Sequence, residues 1–240
     1  MNDPDFEIIS VAQDSQGEPA AGPWFDRASP TFHSVIDPTH KISSLFGWVN
    51  VPSAAWIDEE GRIVRINEGG YAAAHHIDKF IISVKFGSTA FGDAVKDWVR
   101  QGSNSPFVWS AREVRARLKA DTIESRSAEA FFKMGLYFSG QGDDRKADHY
   151  FGRAQTLSPH NWNYHRQAWT RKGELYATRQ WRKKTVRMTE TDPDRYYYAP
   201  LELPGAPDVR VTRMEFIWTR WINFLKGLFS RTPDQPDRIR

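Results

Sequence analysis

The sequence predicts an α/β unit followed by an all-α region. Residues 6–70 alternate short apolar runs with proline- and glycine-bearing breaks, the pattern of strands joined by tight turns. From residue 128 onward, apolar and small residues fall instead at helical spacing. A third signal, apolar residues at i, i+3 and i+4 over residues 214–229, predicts an amphipathic C-terminal helix. At 240 residues, with 40% hydrophobic and 26% charged residues, the composition is that of an ordinary folded domain or pair of domains. The boundaries expected are 1–100 for the α/β unit, 110–188 for the helical region, and 189–240 for an extended linker, the amphipathic helix and a polar tail.

Phe6-Glu7-Ile8-Ile9-Ser10-Val11-Ala12 reads as a buried strand ending at Gln13-Asp14-Ser15. Residues 17–30 carry three prolines and two glycines, so they form a loop or short helix. Residues 31–37 are a second, shorter strand, stopped by Pro38. Residues 40–48 form a short helix with Ile42, Leu45 and Phe46 on one face. Residues 53–57 are a strand entered through Pro52, and residues 62–66 return as its hairpin partner. Between them Glu60-Gly61 turns the chain, glycine supplying the positive φ that a tight turn needs. Gly69-Gly70 ends the returning strand. Asp14, Asp37 and Asp58 lie at strand ends, where aspartate is a turn residue.

This order of elements, together with Val49-Asn50-Val51-Pro52-Ser53-Ala54-Ala55-Trp56-Ile57-Asp58, resembles the thioredoxin-like redoxins, the TlpA-like and AhpC-TSA-like thiol–disulfide oxidoreductases and peroxide-reducing proteins. The resemblance covers about 65 residues. It implies a partial thioredoxin-like sheet, a cis-proline at Pro52, and an extended substrate pairing with the backbone at Val51. It also implies that the family's Cys-x-x-Cys belongs upstream of the matched region. This chain has no cysteine, which excludes thiol catalysis, disulfides and thiolate metal sites for it as written. In the family's sheet, the strand that precedes the motif's helix lies between the counterparts of residues 6–11 and 53–57. Without it, two apolar strands lose their shared neighbour. Three readings stay open: a start farther upstream, a natural fragment, or a domain rearranged or completed by a partner strand.

Residues 71–82 have a helical pattern, in which the adjacent His75 and His76 point about 100° apart and do not share a metal. Gly87-Ser88-Thr89 interrupts, and residues 91–99 resume with Phe91, Val95, Trp98 and Val99 on one face. Ser110 and Glu113 have the spacing of a capping box that starts a short helix to Leu118. Phe131, Met134, Gly135, Phe138, Ala147, Phe151, Ala154 and Pro159 fall at the spacings of one 34-residue repeat over residues 128–161. The small residues allow two antiparallel helices to cross closely, Phe131, Phe138 and Phe151 fill the groove, and Pro159 stops the second helix. The pattern resembles a tetratricopeptide repeat, a family whose arrays hold peptides or proteins. One repeat cannot bury its own faces, so a further helix from Asn161 is expected to cap it.

Arginines and lysines crowd residues 166–187, the expectation being a solvated basic helix face open to an anionic partner. Trp162, Tyr164, Trp169 and Trp181 interleave with Arg166, Arg171, Arg179 and Arg182, but no nucleic-acid fold signature accompanies them. In the last segment Met214, Ile217, Trp218, Trp221, Ile222, Leu225, Leu228 and Phe229 make the apolar stripe. Docking on protein and lying on a membrane surface are both open for it. Met1 opens no basic-then-apolar leader, and no run reaches the ~20 apolar residues that cross a bilayer, so the cytoplasm is the default location. No catalytic residue, cofactor or metal site is expected. The function expected is protein or peptide binding; the alternative is part of a thiol–disulfide oxidoreductase or peroxide-reducing redoxin.

Overall fold

The computed structural model describes residues 5–70, 72, 75–79, 82–118, 121–206, 208–209 and 211–213. It is a mixed α/β structure with small sheets and eight α-helices among the described residues, close to half of them helical. The amphipathic stripe of residues 214–229 lies outside the described residues.

Strand β1 (Ile9–Ala12) leads through α1 (Glu18–Ala28) to β2 (His33–Ile36), and the two strands pair in parallel with Ile9 opposite His33 and Val11 opposite Val35. Helix α2 (Lys41–Leu45) follows, then β3 (Ser53–Ile57) and β4 (Ile63–Glu68), an antiparallel hairpin. The turn works as its residues dictate: Asp58 Oδ1 accepts from the Glu60 and Arg62 amides, and Gly61 takes a φ of 76°. The Asp37 carboxylate likewise accepts from the Ile42 amide and the Thr39 hydroxyl. Two expectations change here. Where a helix over residues 71–82 is expected, residues 75–79 and 82 are strand: β5 (His75–Lys79) and β6 (Ile82–Phe86) are an antiparallel pair, joined by β7 (Val211–Arg213). The isoleucines around Phe80 suit a strand as well as a helix, and their β-branching favours the strand. In α2, Leu45 is exposed, Ile42 and Phe46 are half-buried and Ser43 is the buried residue, so the apolar face read there packs inward only in part.

Helix α3 (Thr89–Gln101) lays Phe91 and Ala94 on the β3–β4 hairpin, where Trp56 stacks on Trp98 with ring centroids 5.1 Å apart. Helix α4 (Ala111–Arg117) opens on the expected capping box, the Ser110 hydroxyl accepting from the Glu113 amide and the Glu113 carboxylate accepting from the Ser110 amide. Helices α5 (Ile123–Gly140) and α6 (Asp144–Leu157) form a hairpin, followed by α7 (Trp162–Thr170) and α8 (Glu174–Thr191). Asp143 and Asn161 cap α6 and α7 by accepting from backbone amides of their first turns.

The hairpin packs through small residues, as its spacing predicts. Ala147 and Ala154 are fully buried, and a Cβ on Gly135 would stand 2.7 Å from the Phe151 ring. Phe132 rather than Phe131 fills the groove with Phe151, while Phe131 and Phe138 stack on Tyr150 from outside. Gly135→Ala is therefore expected to lose about 1–2 kcal/mol, overpacking outweighing the alanine's helix propensity. A urea midpoint at or above the parent's would contradict this packing.

The described residues of segment 192–209, expected to be an extended linker, hold no helix and belong to two cores. Tyr197, Tyr198 and Val209 pack on Trp162, and Leu201 and Leu203 pack on Trp56 and Phe91. It crosses from the helical region back over β4, held by Arg65 and Asn67 at its Leu201 carbonyl. No helix among the described residues is long and apolar enough to cross a membrane.

Candidate functional site

The turn at residues 48–52, which carries Val51 and Pro52, sits where the strands meet the helices. The Val51–Pro52 peptide bond is cis. Every carbonyl from Trp48 to Pro52 accepts a hydrogen bond within the chain. Asn163, in the first turn of α7, donates its side-chain amide to Trp48 O at 3.0 Å and its backbone N–H to Val49 O at 3.2 Å. The Ser53 hydroxyl donates to Asn50 O at 2.8 Å, and the Gly69 amide to Pro52 O at 2.8 Å. Val51 O accepts from the Tyr198 hydroxyl at 2.9 Å and from Arg166 Nη1 at 3.4 Å, and the Val51 amide donates to Asn50 Oδ1 at 3.0 Å. Asn50, 1% exposed, completes the knot by donating to Tyr197 O. Both Val51 backbone groups are thus engaged, so an extended peptide pairing there displaces Tyr198 and Arg166.

Sequence spacing did not point to Asn163, Arg166 or Tyr198. Arg166 was expected on a solvated face, but it turns inward and also donates to the Tyr197 hydroxyl, which accepts from Trp181 Nε1 as well. Arg171 turns inward too, bonded to Asp144 and Asp148. The early signals of the site are Val51-Pro52 itself and the helix expected from Asn161; the long-range partners of the turn leave no such mark in the sequence.

The strand pair β1–β2 presents a different surface. Parallel strands are ordinarily covered on both faces. Here none of the eight paired residues is buried, Ile9 is 66% exposed and Val35 47% exposed, and Ile8 and Phe32 beside them are exposed as well. No third strand bonds to β1 or to β3 among the described residues.

His40 lies at the same junction. It is 3% exposed, packs edge-on against Phe132 of α5, and meets the Gln13 side chain through Nδ1 at 2.6 Å. Its Nε2 meets no hydrogen-bond geometry with a partner among the described residues, and burial pushes the imidazole down to about 4 against the pull of Asp37, Gln167 and Asp14. Among the described residues no group of three or more histidines, aspartates and glutamates stands close enough to hold a metal ion. Comparison with family models, with curated proteins and with solved structures finds no match to this chain.

Proposed function

We propose that the chain is a redoxin-type, thioredoxin-like protein joined to a tetratricopeptide-like helical region, and that it works by binding a protein or peptide. Thiol chemistry is closed to the chain as written, because it has no cysteine. The observation that carries the binding reading is the uncovered parallel pair β1–β2, apolar at Ile9, Val11 and Val35. Two strands with a solvated apolar face are marginal alone. An extended segment that adds beside β1 supplies backbone partners for the strand edge and covers the isoleucines. The element order from β1 through the proline-led β3 to the β4 hairpin supports the redoxin part of the reading, and the α5–α6 hairpin with its Gly135 crossing supports the repeat part.

Hydrogen exchange tests this on the purified chain, with and without a permanently unfolded polypeptide such as reduced, carboxymethylated lactalbumin. The β1 amides are expected to gain protection when the polypeptide binds. Ile9→Lys is expected to remove that gain and weaken binding about tenfold, the cost of leaving an isoleucine-sized contact unmade. Protection confined to other elements, or binding indifferent to Ile9→Lys, would sink the proposal.

A further inference from the structure

The remaining basic residues of α8 form a surface that the peptide-binding reading does not use. Five of the nine residues 179–187 are arginine or lysine, and none is acidic. The fold sorts them. Lys184 is drawn inward, donating to Pro159 O and lying over the Trp162 ring. Arg179, Lys183 and Arg187 remain exposed, one helical turn apart, and none forms an ion pair with any described residue. Their Cα atoms span about 12 Å along the helix. Like charges four residues apart repel and cost helix stability. Burial, with Arg195 and Arg187 adding, also holds the Lys184 amine below its ordinary range. An external anion relieves this unbalanced positive field.

The chemistry of the stripe selects the kind of anion. Binding to single-stranded nucleic acid relies on aromatic faces among the cations. Here Trp162 is buried, Trp169 and Trp181 pack against the same core, and Tyr164 stacks on Phe132. What stands next in line, four residues before Arg179, is Leu175, 67% exposed, with the exposed Tyr176 beside it. A row of cations continued by an exposed leucine and tyrosine matches a lipid surface, with phosphates outside and an apolar layer beneath. The chain also leaves β7, which lies against α8, into the sequence of residues 214–229, where Trp218 and Trp221 alternate with Arg220 and Lys226. We propose that the Arg179–Lys183–Arg187 stripe of α8 is a docking surface for an anionic membrane.

Co-sedimentation of the full chain with vesicles tests it, using phosphatidylcholine alone and an equal mixture of phosphatidylcholine and phosphatidylserine. The mixed vesicles are expected to bind the chain and the neutral ones to bind it far more weakly, with the difference shrinking as salt is raised. The triple variant Arg179→Gln, Lys183→Gln, Arg187→Gln is expected to lose roughly a hundredfold in affinity, about fivefold for each cation. Glutamine is a comparable helix former, and circular dichroism checks that the helices persist. The single variant Lys183→Gln, expected to lose about fivefold, guards against a folding defect in the triple. Equal binding to both vesicles, an undiminished triple variant, or tighter binding to a uridine homopolymer than to the mixed vesicles would each overturn the proposal.

Discussion

Arg65→Ala is expected to destabilise the chain by about 3 kcal/mol in urea unfolding, more than any other single truncation in the strand region. Arg65 is 1% exposed and uses its whole fork: Nε donates to Asn67 Oδ1 at 2.8 Å, Nη1 to Phe107 O at 2.7 Å, and Nη2 to Leu201 O at 2.6 Å and Glu202 O at 3.2 Å. Its guanidinium lies 4.3 Å from the centre of the Trp109 ring, which is covered on another side by Arg117 at 4.2 Å. Burial pushes Arg65 down to about 10, opposed by the Glu202 carboxylate, so it stays charged at neutral pH. Truncation leaves a large cavity and strips donors from three carbonyls; the recovered solvation of the charge offsets part of this. Arg65→Met refills the volume without the donors and is expected to cost about 2 kcal/mol, which separates packing from hydrogen bonding. Arg65→Lys, a point charge that cannot fork, is expected to fall near the methionine variant. Because two of the acceptors lie in segment 192–209, amides there should exchange faster in every variant. A loss below about 1 kcal/mol for Arg65→Ala would mean that the clamp does not hold the segment.

The parts visible in the sequence are those decided by neighbours a few residues apart. Asp58 and Gly61 specify the β3–β4 turn, Ser110 and Glu113 specify the start of α4, and Gly135 with Ala147 specifies a close helix crossing. Segment 192–209 was hidden because its prolines signal an extended chain, while its burial depends on Arg65, Asn67 and Trp162. Phe131 and Phe132 were interchangeable to the eye, since two adjacent aromatics both fall near an apolar stripe, and α7 decides which faces in. The strand residues 75–79 and 82 lie within a stretch whose pattern is helical for a related reason, a short apolar run having no period long enough to separate strand from helix.

The candidate site divides along the same line. Val51 and Pro52 stand out as a turn residue pair, but the groups that bond Val51 O lie 115 and 147 residues away. The same distance explains why the basic run looked uniform. Arg166, Arg171 and Lys184 are captured by partners elsewhere in the fold, and the exposed stripe is what remains.

Stability is expected to fall as pH drops from about 6.5 to about 4, by about 3 kcal/mol for each of two buried histidines. His40 and His165 are both pushed from 6.5 down to about 4, chiefly by burial; Lys184 adds to the shift at His165, where Pro159 O, at 3.1 Å from Nε2, opposes it. Between the two values the unfolded chain binds protons that the folded chain refuses, so acid favours unfolding there and the dependence is flat above about pH 7. Asp37 acts lower on the scale. Burial pushes its carboxyl up, but the Ile42 and Lys41 amides, the Thr39 hydroxyl and the nearby His40 together hold it below its ordinary value, so its contribution persists until more acid conditions. His40 caps α2 at a φ of 58°, a conformation that asparagine tolerates, so His40→Asn removes the titrating group with little backbone strain. His165→Gln removes the other. Each variant is expected to shed about half of the slope, and the pair most of it, in urea midpoints measured from pH 7 down to about pH 4. His40 packs on α5 and His165 beside α8, so their protonation acts on both flanks of α7, the helix that holds the Val51 turn. A parent whose midpoint does not move over that range, or variants that keep its full slope, would show that neither imidazole is held neutral by the fold.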